Sequence, residues 1–372
     1  MMKLEEFAEI NMGQSPESSS YNENKDGLPF FQGKADFGKV SPEAKIWCNK
    51  PAKIAEKYDI LMSVRAPVGD LNIANEKCCI GRGLAGIRAN GDKCYYKYLY
   101  YFLKSKYREL NQMATGSTFK AISKNNILTI EGNIHEITEQ KIIVDKLDKI
   151  QNLIDLEEKQ IEDSNELIKS QFVEMFQSGI YPKEELGKLC DVRDGTHDSP
   201  KYLEESEYKF ITSKNIVNNE IDFSEAKYIT KQDYDKFNTR SKVNYGDILM
   251  PMIGTIGKPI IVNIPDEKID FAIKNVALIK FLENSKVTNI YIKNLFDSDY
   301  FENAISQNKR GGTQKFIALS DIRKLEIEIP PIELQNKFAD FVKQVDKQKL
   351  EIKKNIDELK KLEENLMNKY FN

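Results

Sequence analysis

The sequence predicts a mixed α/β chain in which two similar domains alternate with two long helices that pair as an antiparallel coiled coil, a pseudo-twofold internal repeat. Three observations carry that expectation. The phrase YDILMSVRAPVGD (Tyr58–Asp70) returns as YGDILMPMIGTIGK (Tyr245–Lys258), 188 residues later. An apolar residue recurs every seven positions at Leu147, Ile154, Ile161, Ile168 and Met175, and again at Phe338, Val345, Ile352, Leu359 and Leu366. Each copy also carries short runs of Ile, Val and Phe bounded by Gly, Pro, Asn and Asp, which read as strands and turns.

Followed in order, the two copies stay collinear while their offset drifts. Leu4, Phe7, Ile10 and Gly13 lie over Leu186, Leu189, Val192 and Gly195, and Phe30 and Lys34 over Phe210 and Lys214. IGRGLAGIR lies over AIKNVALIK, which sets Arg82 over Lys274 in expected strands, and Glu139-Gln140 lies over Leu334-Gln335. A short helix is expected near Tyr96–Gln112 and near Asn289–Gln307, then a Gly/Thr loop, one last strand and a long helix. The boundaries expected are 1–138 and 179–330 for the two domains, with the long helices at 139–178 and 331–372. Each long helix is about 57 Å at 1.5 Å per residue. An antiparallel pair of them makes a stiff rod with one domain at each end. The bland alternative is two amphipathic helices lying separately on domain surfaces.

At 372 residues the chain holds two ordinary domains plus connecting elements. Its 40% apolar and 30% charged content belongs to a soluble globular protein. MMKLEEFAEI shows no secretory apolar segment, and Ile248–Ile264 is too broken by polar residues and prolines to span a membrane, so a cytoplasmic setting is expected. Cys48, Cys78, Cys79, Cys94 and Cys190 lack metal-ligand spacing and read as reduced structural thiols. Two histidines, His135 and His197, leave little for zinc or for acid–base chemistry. A net charge of −3 argues against nucleic acid at first sight. Much of the acid, however, sits in the first long helix, where Glu139–Glu174 holds ten acidic residues against five lysines. The domains are near neutral, and a local basic groove fits them.

Three motifs resemble active sites and fail on context. GRGLAG (Gly81–Gly86) has dinucleotide-fold spacing, but the chain turns again within five residues instead of entering a long helix. GTIGKP (Gly254–Pro259) is too short for a phosphate-binding loop and has proline where Ser or Thr is needed. Asp194, His197 and Ser199 lie within one turn, which cannot easily align a catalytic triad, so a tight turn or a ligand-facing His197 reads better. No Asn-Pro-Pro-aromatic or Asp-Pro-Pro-aromatic stretch of an adenine methyltransferase is present.

Duplex DNA is a ligand whose symmetry rewards two similar readers at a fixed spacing, since reader spacing sets half-site spacing. Here the sequence resembles a known family, the specificity (S) subunit of Type I restriction–modification enzymes. The resemblance runs through GQSPESSSYNENKDGLPFFQGKADFG, VRDGTHDSP, GDILMPMIGTIGK, GGTQKFIALSDI and IPPIELQNKFADFVKQVDKQK, and covers essentially the whole chain. It implies two target-recognition domains, each reading one half of a bipartite, asymmetric duplex site, with the helices setting their separation. It implies no catalysis by this chain. Partners would be two methyltransferase (M) subunits using S-adenosylmethionine on adenine, and optionally motor/restriction (R) subunits using ATP and Mg. No cofactor is expected on the chain itself. One departure stands out: GNIHEITEQ replaces the proline-led IPPIELQ before the first long helix, which suggests a different entry angle or a looser joint there.

Polar and basic residues in Gly-rich loops are the candidate DNA contacts, because the backbone can approach phosphates there. In the first copy these are Gln14, Ser15, Lys34, Arg65, Ser117, Thr118 and Lys120. In the second they are His197, Lys214, Arg240, Lys258, Arg310, Thr313 and Lys315. Arg82 and Lys274 join them with less weight because of their expected strand positions. The heptad residues named above are the candidates for helix pairing or partner binding. A rival from another class is a coiled-coil scaffold that joins partners without reading DNA.

Overall fold

The computed structural model describes residues 1–115, 120–177, 179–217, 219–253, 257–306 and 317–371. Packing divides the chain into two units, Met1–Lys159 with Ile352–Asn372, and Gln160–Glu351. The expected spacer helices are 139–178 and 331–372; the packing division falls within both, between Lys159 and Gln160 and between Glu351 and Ile352, with Leu147 in the first unit's core and Ile168, Phe338 and Val345 in the second's.

In the first unit, β1 (Ala8–Met12), β2 (Leu28–Phe31), β3 (Ile60–Ser63), β4 (Leu71–Ile73), β5 (Cys78–Ile80) and β6 (Leu84–Ala89) precede α1 (Tyr96–Ser105). An antiparallel sheet has the order β1-β6-β3-β4. A second sheet is centred on the parallel pair β2 and β5, with Phe31 opposite Ile80. Side chains alternate across a strand. Ile60 and Met62 therefore join the core with Tyr98, Leu99 and Phe102 of α1, and Leu61 joins Phe31 and Ile80 on the other side. Both faces of β3 are buried, which is why Ile-Leu-Met runs unbroken.

After α2 (Ile137–Phe176), the second unit repeats this plan. Its elements are β7 (Cys190–Asp194), β8 (Tyr208–Thr212), α3 (Lys231–Ser241), β9 (Ile248–Pro251), β10 (Ile260–Ile261), β11 (Phe271–Lys274), β12 (Val276–Phe281), α4 (Asn289–Phe296) and α5 (Ile332–Phe371). The antiparallel sheet is β7-β12-β9-β10, and β8 pairs parallel to β11 with Ile211 opposite Ile273. Ile248 and Met250 meet Tyr291 and Ile292 on one face of β9, and Leu249 meets Ile211 and Ile273 on the other.

Equivalent polar ties occur in both units. The Asp59 carboxylate accepts Nε and Nη2 of Arg88, both at 2.8 Å, and the backbone N–H of Glu56 at 2.8 Å. Asp247 does the same with Lys280 and with the N–H of Asn244 at 2.7 Å. Burial pushes the Asp247 carboxyl above the ordinary carboxylate range even with Lys280 pulling it down. Gln140 and Gln335, both fully buried, each make three backbone bonds. Gln140 accepts from the N–H of Tyr95 and donates to the carbonyls of Lys93 and His135, all at 2.8 Å. Gln335 accepts from Thr288 at 2.8 Å and donates to Lys286 and Pro330 at 2.9 Å. The entry to each long helix thus carries the same three-bond glutamine, with the prolines in the second unit and without them at GNIHEITEQ in the first. Gly13 and Gly195 are also equivalent: an added Cβ would meet the carbonyl oxygen of Gly81 at 2.2 Å or of Ile273 at 2.3 Å.

Elsewhere the copies differ from each other or from expectation. Strand Trp47–Cys48 pairs antiparallel with β2 as Lys227–Ile229 does with β8, but the first unit then has a two-residue strand, Ile54–Ala55, where the second has α3. Each expected helix near 96–112 and 289–307 is two helices, Tyr96–Ser105 with Tyr107–Met113, and Asn289–Phe296 with Asp299–Ser306. The breaks let Leu110 and Phe301 turn into the cores. A one-turn helix, Lys124–Leu128 or Leu319–Arg323, also precedes each last strand.

The long helices are 40 residues each. Leu147, Ile154, Ile168, Phe338, Val345 and Ile352 are buried, while Ile161, Met175, Leu359 and Leu366 are half-buried. Within the first unit, Lys146 meets the Tyr370 hydroxyl at 3.3 Å and Lys360 meets Glu158 at 3.4 Å, so the paired segments of α2 and α5 run antiparallel there. Within the second unit, Phe172 and Phe176 pack on Phe338 at 5.5 and 5.3 Å between ring centroids. All five cysteines are free and buried, and burial pushes the thiols of Cys78, Cys94 and Cys190 up to about 12. Among the described residues, no helix is long and apolar enough to cross a membrane.

Candidate nucleic-acid interface

The sequence candidates of the first unit gather where β1 ends and β5 turns into β6. Gly13 donates its N–H to the Leu84 carbonyl and Gln14 to that of Ile80, which brings Ser15 beside the turn Gly81-Arg82-Gly83. The Ser15 hydroxyl lies 3.4 Å from the Arg82 amide. Arg82 is exposed on that turn rather than in a strand, because three residues are needed to pass from β5 to β6. Gln32, Gly33, Lys34, Arg65, Ala66, Arg82 and Gly83 line a cleft of about 240 Å³. Lys34 reaches Asp70 at 3.0 Å, and Lys120 lies next to Arg65 through the bond from the Ala66 N–H to its carbonyl, 3.0 Å. The side chains of Arg65, Arg82 and Lys34 are exposed. The volume is below the roughly 300–1,000 Å³ usual for a small-molecule or cofactor site, whereas a cluster of exposed cations suits a polyanion lying across it.

The corresponding corner of the second unit has the same framework and different chemistry. Gly195 donates to the Val276 carbonyl and Thr196 to that of Ile273, so His197 takes the place of Ser15. Here two residues make the passage between equivalent strands, Lys274 at the end of β11 and Asn275 at φ 54°. Lys34 and Lys214 both sit in single-turn helices, Lys34–Asp36 and Ser213–Asn215. The Ser213 hydroxyl donates to the Asn275 carbonyl at 3.1 Å, joining Lys214's turn to the cluster. Arg65 has Ile253 as its counterpart in the repeat, so an apolar residue stands at that position of the second unit.

Asp194 organises this corner. Its carboxylate receives Arg240 on one oxygen, while the other lies 2.9 Å from His197 Nε2. The second ring nitrogen of His197 faces Asn275 Oδ1 at 2.7 Å. The Ser199 hydroxyl is taken by Lys274 instead of by His197, so Asp194, His197 and Ser199 form no nucleophile–base chain. The glycines of GRGLAG lead into strand β6 and not into a helix, which removes the dinucleotide reading. Lys258 is exposed and strand β10 follows it, so GTIGKP opens no phosphate-binding helix. Ser117, Thr118, Arg310, Thr313 and Lys315 lie outside the described residues. Sequence reasoning missed Asn275 as the neighbour of His197. Its signal was an Asn directly after the Lys274 that aligns with Arg82, since Asn is favoured where a turn needs positive φ.

Comparison with known proteins agrees with the duplicated plan. The family model described as Type I restriction modification DNA specificity domain matches residues 1–164 and again 182–363. A putative type I restriction enzyme MjaX specificity subunit from Methanocaldococcus jannaschii is 45% identical over 158 residues, 42% of this chain and 37% of that relative. The Type I restriction enzyme EcoBI specificity subunit of Escherichia coli is 21% identical across 92% of this chain and 78% of its own length. The crystal structure of the Type-I restriction-modification system S subunit from M. genitalium shares the fold over 100% of this chain and 95% of its own, at a TM-score of 0.53 and 15% identity. With the model matched once on each copy of the repeat, the chain belongs to the Type I restriction–modification DNA specificity family, whose members are the non-catalytic, DNA-recognising subunits of those systems.

Proposed function

We propose that this chain reads a bipartite, asymmetric duplex DNA site, one half with each unit, and brings two adenine methyltransferase subunits, and optionally a motor/restriction subunit, to it. The observation that carries the reading is the recurrence of one corner of one scaffold with different polar side chains: Ser15, Lys34 and Arg82 in the first unit, and His197, Lys214 and Lys274 in the second. Similar frames would place the two readers alike, and unlike side chains would make them prefer unlike sequences. The two 40-residue helices support a coiled-coil spacer that fixes the gap between half-sites. S-adenosylmethionine, ATP and Mg would belong to the partner subunits, and the assembly would work in the cytoplasm.

The adenine-methylation motif of the host, mapped with the gene intact and deleted, tests this reading. Loss of one bipartite motif on deletion is expected; an unchanged set of motifs rejects the function. Binding of the assembled complex to duplex DNA across a salt series separates the scaffold alternative. A specific, steeply salt-dependent affinity fits a reader, and flat or absent binding fits a scaffold.

A further inference from the structure

We propose that Arg240, held in place by Asp194, reads a guanine in the half-site recognised by the second unit. The proposal rests on the duplex-DNA reading above and names a residue and a base for it.

Arg240 sits at the end of α3, which is anchored from both sides. Phe237 stacks on Phe210 of β8 at 5.5 Å, and Arg193 Nη1 donates to the Arg240 carbonyl at 2.8 Å. The Arg240 side chain is 65% exposed, while that of Asp194 is 10% exposed and is itself fixed between Arg240 and His197. A guanidinium has five N–H donors in one plane, and the contact to Asp194 engages Nη2 only. The remaining donors belong to a side chain that is mostly exposed and is held by Asp194 before any ligand arrives, which lowers the ordering cost of a bidentate contact.

Charge decides which kind of contact this side chain suits. Asp194 offsets the positive charge of Arg240 and would repel an approaching phosphate, so little long-range attraction is left. The neutral acceptors O6 and N7 of guanine match the fork without needing a net charge. Arg65 and Arg82, lining the cleft of the first unit, are the better phosphate contacts. Among its described residues the first unit has no such arrangement, because Met12 stands where Asp194 is and no α-helix lies between β2 and β3. Only one of the two half-sites would depend on this pair.

The test uses the full chain assembled with its methyltransferase subunits and competed against duplexes randomised in both half-sites. Arg240→Ala is expected to lower the preference for G at one position of one half-site by about 5- to 150-fold. The other half-site should keep its preferences, and the salt slope should barely change. Asp194→Asn, which keeps the volume, should relax the same position in part. Arg240→Lys, which keeps the charge and loses the planar fork, should behave like the alanine variant. A uniform loss across all sequences with a salt slope lower by about one would make Arg240 a phosphate contact and overturn the proposal. So would unchanged base preference in all three variants. If the wild-type complex shows no sequence preference at all, the duplex-reading function fails, and this inference with it.

Discussion

Replacing Gln140 by Leu tests whether one buried amide holds the first long helix to its domain. The side chain is fully buried, and its three bonds go to backbone groups on the two segments that meet at the helix entry. Leucine fits the volume and offers no donor or acceptor, so the Tyr95 N–H and the Lys93 and His135 carbonyls all lose their partner. These bonds are part-buried, so about 1–1.5 kcal/mol each applies rather than the larger desolvation cost of a fully enclosed group. The expected loss is therefore about 3–4.5 kcal/mol in the first unit, a large share of a typical domain stability of about 5–15 kcal/mol. Hydrogen exchange followed separately in the two units reads it: amides of α1 and of the first turns of α2 should lose protection by that amount, with the second unit unchanged. Gln335→Leu should reverse the pattern. A loss below about 1 kcal/mol in both variants would mean that apolar packing alone fixes the joint, and the argument for an equivalent pin in each unit would fall.

Four other outcomes follow from the same geometry. Tyr58 adopts φ 75° where the second copy has Gly246 at φ 83°, and its ring stacks on Tyr96 at 4.6 Å. Tyr58→Gly should be nearly neutral in denaturant titration, since relief of about 1 kcal/mol of strain offsets a stack of similar worth, whereas Gly246→Ala should cost about 1–2 kcal/mol. The thiols of Cys78, Cys94 and Cys190 are raised from 9.0 to about 12, so alkylation at pH 8 should modify none of them until the chain unfolds. Because the unfolded thiols ionise first, their contribution to stability is intact below about pH 8.5 and is lost as pH climbs toward 12, which a pH series of melting temperatures should show against Cys→Ser controls. Arg65→Ala should weaken duplex binding evenly across sequences and reduce the salt slope by about one. Lengthening both long helices by four to seven residues should widen the unspecified gap of the methylated motif by about 6–10 Å, or two to three base pairs; an unchanged gap would argue against a helical spacer.

Much of the scaffold could be read from the chain because burial imposes strong demands on residue type. The Ile-Leu-Met runs of β3 and β9 are buried on both faces, Gly13 and Gly195 leave no room for a Cβ, and Gln140 and Gln335 must each satisfy three backbone groups. These constraints kept both copies recognisable at every shifting offset. The candidate interface was less legible. Lys34 and Lys214 aligned, and so did Arg82 and Lys274, but the extra residue in the Gly81–Gly83 turn was invisible until the strands on either side were placed. Helix α3 gave no strong periodic signal because only Phe237 and Ser241 are buried along it.

The duplication, the strand-and-turn character of each half and the heptad columns were settled by the order of residues alone, since each is a repeating local pattern that burial enforces. Which polar groups meet was decided only by the tertiary structure. Asp194 and Arg240 stand 46 positions apart, and Asp59 and Arg88 29 apart, and nothing in either segment names its partner. An ion pair needs only opposite charge within reach, and reach is created by the packing of sheets and helices far from either residue.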